Sequence, residues 1–478
     1  MAFNTLTFAL YFGIFNILYR LIPETPVRGR NLLLLAASYA FYGSWDWRFA
    51  GLLAFSTVVN FAIGLEMGED RTPQHRKTML VLALAFNLGL LGFFKYFNFF
   101  ADGLAALLGS STYSPALNIV LPLGISFYTF QVLSYPIDIR RGVIRPTRDF
   151  LDFSLFVAFF PNIVAGPIER ARNLLPQIAS RRPISAERFH EGAWLIFWGL
   201  FKKIVVADNL SKFTTPIFDL PVSSSGLQLL TAFYAFAIQI YADFSGYSDM
   251  ARGLAKWMGF ELMLNFKTPF FSPNLPVLWQ RWHMSLTNWI KEYVFYPLAL
   301  WRPRGRSLES ALVILITWVL MGIWHGPTLV FAIWGFYHAA LLVLYNRLLP
   351  HLNRVRPKQG WRLTTWNAGS VLITFHFFAI GLLCFAVKLP EEVLLVFDGI
   401  IQWQAPYYGG TFSLQPFYLL VFLVLPLVVV ESAQARADDE FVVFRWPVWA
   451  KTGFYYLGFY LIVLYGVFSA NRYFYDQF

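Results

Sequence analysis

The sequence predicts an all-α, polytopic integral membrane protein. Hydrophobic residues make up 57% of the 478 residues, and charged residues make up only 14%. The mean hydropathy is +0.52, and a soluble domain of this length cannot bury so large an apolar fraction. The apolar residues also fall into runs of up to about 23 residues, the length of helix that crosses a ~30 Å hydrocarbon layer. Lipid is therefore the expected surrounding of most of the chain.

About eleven or twelve of these runs have spanning or near-spanning length. The loops between them are short, so the chain is predicted to form one membrane domain over residues 1–478. The first run lacks a basic amino-terminal region and a small-residue cleavage signature, which indicates a retained helix rather than a removed signal peptide. The runs occupy residues 5–22, 31–43, 48–66, 78–100, 115–135, 192–207, 226–243, 308–324, 328–345, 366–388, 415–431 and 450–470.

Two stretches are predicted not to be simple spans. Residues 150–167 have arginines beyond both ends and are broken by Pro161, Gly166 and Pro167, which favours a segment that enters the bilayer and returns. Residues 265–301 mix prolines and charged side chains with tryptophans, which is typical of an interfacial or re-entrant helix that lines an interior cavity. Both stretches are expected to lie against protein or a water-filled cavity rather than against lipid.

The formal net charge of +11 comes from lysines and arginines in the short loops. Membrane topology and anionic lipid headgroups account for this distribution, so nucleic acid is not an expected partner. The positive-inside bias assigns the basic loops at 302–306 and 347–362 to the cytoplasm. The single cysteine, Cys384, excludes an intrachain disulfide, and its position in an apolar run indicates a packing role.

Several common catalytic signatures are absent from the sequence: the nucleophile elbow, the P-loop, the dinucleotide-binding glycine motif and the zinc-protease helix. No metal site is predicted either, because the histidines have no partners at ligand spacing. On a regular helix His338 would lie ~20 Å beyond His325, too far to share a metal ion. The seven histidines are His75, His190, His283, His325, His338, His351 and His376.

His325 lies in a turn, Gly-Ile-Trp-His-Gly-Pro, between the apolar runs 308–324 and 328–345. The basic loops beyond the far ends of both runs place this turn away from the cytoplasm. An imidazole with an ordinary pKa near ~6.5 accepts a proton from a hydroxyl at neutral pH, which suits acyl transfer. A histidine that caps a helix or hydrogen-bonds a carbonyl is the alternative interpretation. His283, in a tryptophan-rich segment, is the second candidate base, and a structural histidine is the competing interpretation there.

Six sequence blocks, in order along the chain, resemble the membrane-bound O-acyltransferase (MBOAT) family, and in particular its bacterial branch of alginate O-acetylases. The region that they cover is about two thirds of the chain. They occupy residues 31–42, 121–130, 160–170, 241–250, 279–286 and 322–326.

The resemblance implies an MBOAT fold in the bacterial inner membrane, with about eleven transmembrane helices plus re-entrant or interfacial helices around a central tunnel. It implies that His325 is the catalytic histidine and that His283 shapes or lines the catalytic chamber. No permanently bound cofactor is implied; the acyl donor is acetyl-CoA or an acyl-carrier thioester.

Other side chains in these blocks are candidates for substrate or donor binding. Trp324 and Trp282 adjoin the two histidines. Arg281 and Arg170 suit the phosphates of a coenzyme or carrier arm, or serve as cytoplasmic anchors. Asp243 suits the orientation of a histidine or the binding of a polar headgroup, with hydrogen bonding between helices as the alternative.

The leading hypothesis for function is transfer of an acetyl group across the membrane to an exported or cell-wall polysaccharide that is alginate-like, assisted by a periplasmic partner protein. Transfer of D-alanine or another acyl group to teichoic acid or lipid is the alternative within the family. A polysaccharide transporter, with His325 as a proton relay, is the alternative from another class. The chain departs from the alginate acetylases at 277–278 and 291–292, which leaves the donor and the acceptor open.

Overall fold

A computed structural model describes residues 1–107, 119–300, 307–403 and 415–468, and every regular element in these ranges is a helix. The predicted all-α class is confirmed for this part of the chain. The described residues divide into two compact units, the first formed by 1–198 and 247–263 and the second by 199–246 and the residues from 264 onward. The prediction of one domain over 1–478 stays a prediction.

The first unit holds eight helices among its described residues, with the last of them ending just beyond its boundary. They are α1 Leu6–Leu21, α2 Arg28–Gly43, α3 Trp47–Leu65, α4 Pro73–Leu107, α5 Ile125–Arg140, α6 Phe150–Ala158, α7 Ala171–Ala179 and α8 Ala186–Leu200.

The second unit begins with the last two residues of α8 and continues in a π-helical turn, Phe201–Ala207. The long helix α10 begins in the second unit, and its last residues, 247–257, are assigned to the first unit. The remaining helices are α9 Asp208–Asp219, α10 Gly226–Trp257, α11 Leu275–Trp279, α12 Met284–Ile290, α13 Tyr296–Leu300, α14 Ser307–His325, α15 Leu329–Val355, α16 Gly360–Leu382, α17 Pro390–Ile401, α18 Gln415–Ala437 and α19 Val448–Tyr465.

Six helices within the described ranges are long and apolar enough to cross a membrane, and two shorter apolar helices, Leu6–Leu21 and Ser310–His325, accompany them. The protein is therefore a multi-pass membrane protein, while the count of about eleven helices stays a prediction. The six are Trp47–Leu65, Pro73–Ala105, Gly226–Trp257, Leu329–Val355, Gly360–Phe385 and Tyr418–Ala437.

The stretch 150–167 is not a spanning helix, as predicted. Helix α6 has nine residues, or ~14 Å, and the chain from 159 to 170 is irregular and buried. Polar side chains satisfy this buried backbone: the Phe160 N–H donates to Ser38 Oγ at 3.2 Å, and the Ala171 N–H donates to Ser134 Oγ at 3.1 Å. Such irregular backbone is tolerated at membrane depth only where protein or water surrounds it. That it enters and leaves on the same side stays a prediction.

The stretch 265–300 is also irregular, as predicted, and residue 301 lies outside the described ranges. It consists of the short helices α11, α12 and α13 with a π-helical turn at Lys291–Phe295. The tryptophans Trp279, Trp282 and Trp289 are all buried, so this segment contributes aromatic side chains to the interior of the second unit.

Helices α14 and α15 form a close hairpin because glycine is present where their backbones meet. A Cβ on Gly335 would lie within 3.0 Å of the backbone of Trp318 and Val319, and a Cβ on Gly322 would clash with the Phe331 carbonyl. Small residues allow such close approach between membrane helices. His325 is the last residue of α14 rather than part of the turn. Helix α15 continues ten residues beyond the apolar run, through Pro350, and ends at Val355, two residues before Pro357, which restricts the residue that precedes it.

Candidate active site

The imidazole of His325 is enclosed by aromatic side chains and is 3% exposed. Its ring centroid lies 4.9 Å from that of Trp324, 5.1 Å from that of Trp334 and 5.1 Å from that of Phe385, each in an edge-to-face arrangement. The side chain therefore points into the second unit and not toward lipid.

Trp334 contacts a second histidine that the sequence analysis considered only as a metal ligand. The His338 ring centroid lies 4.9 Å from that of Trp334, so the His325 and His338 rings are within about 10 Å of each other. The expected separation of ~20 Å was wrong, because α15 begins four residues after His325 and runs back along α14. Phe331, Trp334 and His338 are spaced by three and four residues, which places them on one helix face.

His338 is fully buried, and its ring contacts Trp279 and Trp318, with centroids 5.0 and 5.6 Å away. Neither ring nitrogen has a hydrogen-bond partner among the residues that the structure describes. Gly381 of α16 lies against this ring and leaves no space there for a Cβ. These contacts assign His338 to the packed surroundings of His325.

The second candidate, His283, is held by a neighbouring amide. Its Nδ1 lies 3.0 Å from Asn265 Oδ1, which also accepts from the Ser285 backbone N–H at 3.3 Å and from Ser285 Oγ at 2.9 Å. A backbone N–H only donates, so the shared Asn265 atom is an oxygen, and His283 must donate through Nδ1–H. The lone pair is then on Nε2, the nitrogen that can accept a proton.

The backbone at His283 adopts an unusual conformation with φ +44° and ψ 50° immediately before α12. A non-glycine residue in this left-handed region costs about 1 kcal/mol or more and is often found at functional sites. The Met284 N–H donates to the Asn265 carbonyl at 2.8 Å, which fixes the same turn from a second direction. Asn265 therefore sets both the position and the tautomer of His283, and the sequence analysis did not single it out.

A continuous set of aromatic contacts joins the two candidate histidines within the second unit. Phe266 contacts His283 and Trp282, with centroids 6.4 and 5.1 Å away. Phe378 of α16 lies 4.8 Å from Trp282 and 5.5 Å from Trp279. Trp279 in turn lies 5.8 Å from Trp334, which contacts His325. These five residues, Phe266, Trp282, Phe378, Trp279 and Trp334, are named here the aromatic bridge.

Two of the predicted binding residues, Trp324 and Trp282, are thus buried beside the histidines. A third, Asp243, contacts a lysine instead of a histidine. Its carboxylate pairs with the buried ammonium of Lys203 at 2.5 Å, and Lys203 also pairs with Asp208 at 3.0 Å. This charge cluster gives Asp243 an interhelical partner, the alternative considered from the sequence. A substrate role for Asp243 stays a prediction. The sequence could have indicated Lys203, because a lysine inside an apolar run, here 192–207, needs a partner of opposite charge.

Arg281 is half-buried and lies near an exposed acidic group. Hydrogen bonding and charge from Lys267, with a further contribution from Arg281, hold the pKa of Asp438 below its usual range. Lys267 pairs with Asp438 at 2.9 Å, and its backbone N–H donates to the Arg281 carbonyl. This basic pair at the edge of the irregular segment is compatible with binding of a phosphate, which stays a prediction.

Arg170 belongs to the first unit and is buried at the start of α7. The preceding residue, Glu169, is also buried and accepts from the Met263 N–H at 2.5 Å through Oε1. Burial raises the pKa of Glu169 to about 7, against the opposing effects of the Met263 hydrogen bond and the Arg170 charge. A role for Arg170 in donor binding stays a prediction.

Comparisons with known proteins identify the family. The model of the membrane-bound O-acyltransferase family matches residues 140–387. The chain is 40% identical over 353 residues to the probable alginate O-acetylase of Azotobacter vinelandii, covering 73% of this chain and 69% of that protein. It is 39% identical over 413 residues to the probable alginate O-acetylase of Pseudomonas aeruginosa, covering 84% and 76%.

A third relative is the peptidoglycan O-acetyltransferase of Helicobacter pylori, 31% identical over 400 residues, with 78% of this chain and 73% of that protein covered. The matched region of the family model contains both candidate histidines and the aromatic bridge. On this evidence the chain belongs to the membrane-bound O-acyltransferase family and is an O-acyltransferase, as the resemblance of its sequence blocks indicated.

Proposed function

We propose that this enzyme transfers an acetyl group from a cytoplasmic thioester across the bacterial inner membrane for O-acetylation of an exported or cell-wall polysaccharide, alginate-like in the first instance. The burial of His325 among aromatic side chains at the end of α14 supports the proposal, because an imidazole held away from lipid is available to accept the proton of an acceptor hydroxyl. The proposed architecture has about eleven spanning helices and re-entrant segments around a tunnel that reaches this histidine from both faces. The names of the relatives support acetyl as the group transferred.

The proposed chemistry is direct transfer with His325 as the general base. The acceptor hydroxyl attacks the thioester carbonyl, a C–O bond forms, and His325 takes the hydroxyl proton. The tetrahedral intermediate collapses, the C–S bond breaks, and the imidazolium returns its proton to the departing thiolate. In this proposal the partial negative charge of the helix dipole at the carbonyl end of α14 stabilises the imidazolium between these two steps.

The remaining candidates have supporting roles in this proposal. His283 lines the chamber with Nε2 as its proton-accepting atom, and the rings of Trp324 and Trp282 exclude water. Arg281 binds a phosphate of the donor. Arg170 is proposed separately as a donor-binding residue of the first unit, and Asp243 holds Lys203 in place. No permanently bound cofactor or metal is part of the proposal, and a periplasmic protein completes delivery to the polysaccharide.

Purified protein in liposomes tests this proposal. We expect label from [¹⁴C]acetyl-CoA or from an acetylated carrier protein to appear on alginate oligosaccharides when a periplasmic fraction is added. Label from D-alanyl carrier protein on teichoic acid instead would overturn the choice of acyl group. Movement of polysaccharide into liposomes without any acyl donor would support the transporter, which family membership does not favour.

A further inference from the structure

A groove separate from the histidines lies between α15 and α16, toward the end of the helices where residues 356–359 connect them. Its volume is about 720 Å³, within the usual range for a small-molecule site. Residues 271–275 close one side. The apolar lining includes Leu344, Leu348 and Leu352 of α15 together with Ile373 and Phe377 of α16.

This groove opens toward the part of the surface that lipid covers. Leu344 is 53% exposed and Ile373 is 60% exposed, and both belong to helices with spanning length and composition. An acyl chain therefore reaches the groove laterally from the bilayer, whereas a water-soluble ligand would have to displace lipid to enter it. The lining of the groove is mainly apolar, so most of its surface offers no hydrogen-bonding group to a polar ligand.

The mouth of the groove is polar and positively charged. Arg356 lines it, and its Nη2 lies 3.4 Å from Oδ1 of Asn367 on the facing helix, so the guanidinium is placed between the two helices. Four more exposed cations lie at the end of α15, in the connection and at the start of α16, and none of them has a carboxylate partner among the described residues. They are Arg347, Arg354, Lys358 and Arg362.

The local sequence leaves this charge uncompensated. No acidic residue occurs between Glu309 and Glu391, a stretch that contains the whole of α15 and α16. Trp361 is 74% exposed next to the cations, with the guanidinium of Arg362 5.7 Å from its ring centroid. Exposed tryptophan beside basic residues is typical of the headgroup level of a membrane. The mouth of the groove thus lies where lipid phosphates are found.

We propose that this groove binds one anionic phospholipid, with an acyl chain between α15 and α16 and its phosphate at Arg356. The neighbouring cations increase the preference for a headgroup with net negative charge, as basic clusters at membrane surfaces do. This inference is independent of the transfer chemistry. Because α15 also carries Trp334 and His338, the bound lipid stabilises the helix that encloses His325.

Native mass spectrometry of the delipidated full-length protein tests the proposal, with phosphatidylglycerol and phosphatidylcholine of identical acyl chains as probes. We expect phosphatidylglycerol to bind at least ten-fold more tightly. Gly369 lines the groove, and a Cβ there meets nothing within 4 Å, so Gly369→Leu should fill the groove and weaken phosphatidylglycerol binding at least ten-fold. Gly453→Leu is the matched control, since Gly453 is an equally open helical glycine outside the groove.

A charge variant separates the headgroup from the acyl chain. Arg354→Gln combined with Arg356→Gln should reduce phosphatidylglycerol affinity to that of phosphatidylcholine, whereas Lys77→Gln with Lys451→Gln should not. If Gly369→Leu fails to fold, Ser370→Leu blocks the same groove. Equal binding of the two lipids, unchanged binding in the blocked variants, or displacement of the lipid by glycerol 3-phosphate alone would overturn the proposal.

Discussion

At the scale of single residues, Asn265 decides which nitrogen of His283 carries a proton. Its Oδ1 accepts from His283 Nδ1, from the Ser285 hydroxyl and from the Ser285 backbone N–H. Three buried donors therefore depend on one oxygen. A buried donor that loses its acceptor costs about 1–3 kcal/mol.

Asn265→Leu should accordingly lower the stability of the protein by about 1–3 kcal/mol, because it removes the shared acceptor. Asn265→Asp keeps the acceptor oxygen but buries a carboxylate, so it should preserve the position of His283 and lose part of the stability. The thermal midpoint in detergent measures the effect. An Asn265→Leu protein as stable as the wild type would show that these hydrogen bonds do not hold the turn.

Glu169 gives the stability of the protein a pH dependence. Burial raises its pKa from 4.5 to about 7, so the folded state binds the proton more tightly than the unfolded state does. The stabilising effect of protonation is fully present below pH 4.5 and is lost as the pH rises through about 7. Unlike the usual salt-bridged carboxylate, Glu169 therefore makes the fold less stable at higher pH.

Glu169→Gln should reduce the loss of thermal midpoint between about pH 5 and about pH 8, because glutamine does not ionise. Glu187→Gln, at an exposed position in the first turn of α8, serves as the control and should leave the wild-type slope unchanged. Identical slopes for the wild type and the Glu169 variant would contradict the assignment of the raised pKa.

Residue patterns predicted one side of the site and missed the other. The Trp-His pair at 324–325 and the spacing of Phe331, Trp334 and His338 are visible in the sequence, because contacts along one helix face follow its period. Phe378 and Phe385 approach the histidines from α16 and the short 3₁₀ helix after it. Contacts between segments so far apart in sequence depend on tertiary packing, which no local pattern specifies.

At the scale of helices, the short distance between α14 and α15 keeps the aromatic side chains of α15 against His325. Gly335 lies against the backbone at Trp318 and Val319, and Gly322 lies against the Phe331 carbonyl. Any side chain at these positions forces the two helices apart, and the aromatic rings on α15 then withdraw from His325. Helix geometry thus links two glycines to the environment of the proposed base.

Gly335→Ala should lower both the thermal midpoint and the transferase activity, because overpacking in a close contact costs about 1–3 kcal/mol. Gly453→Ala tests helix propensity alone and should be neutral or stabilising by about 0.5–1 kcal/mol. Circular dichroism and acetyl transfer on the same preparations measure the two effects. Equal thermal midpoints and equal activities for the two variants would show that the close contact at Gly335 does not hold α14 and α15 together.

Hydropathy predicted helix positions better than helix ends. It placed the second leg of the hairpin at 328–345, whereas α15 reaches Val355 through a mixed segment that includes Pro350, a residue that local propensity disfavours in a helix. It also treated 115–135 as one run, whereas α5 covers Ile125–Arg140 and residues 108–118 lie outside the described ranges. An apolar run shows which residues contact lipid or the protein interior. A helix can continue past those residues, so its ends are not visible in the hydropathy.

At the scale of the whole molecule, the basic residues at the end of α15 and just after it predict the orientation in the membrane. Helix α15 has 27 residues, or ~40 Å, and joins Thr328 to the cations from Arg354 onward. That length exceeds a ~30 Å hydrocarbon layer. The His325 end of the hairpin should therefore lie toward the periplasm and the basic end toward the cytoplasm.

Single introduced cysteines test this orientation, since the one native cysteine, Cys384, is buried. Thr328→Cys should react with a membrane-impermeant maleimide in intact spheroplasts, because Thr328 is exposed. Lys358→Cys, also exposed, should react only in inverted vesicles. Reaction of both from the same side would contradict the orientation of the hairpin.

The role of His325 as the proton acceptor is tested most directly by acetyl transfer with His325→Ala. Liposomes that contain equal amounts of folded wild-type, His325→Ala and His351→Ala protein receive a labelled acetyl thioester and the same periplasmic fraction, and label on the polysaccharide acceptor is counted. His351 is an exposed residue near the end of α15 and controls for the loss of an imidazole. We predict a loss of about 10²-fold or more for His325→Ala and none for His351→Ala; undiminished transfer by His325→Ala would contradict the account.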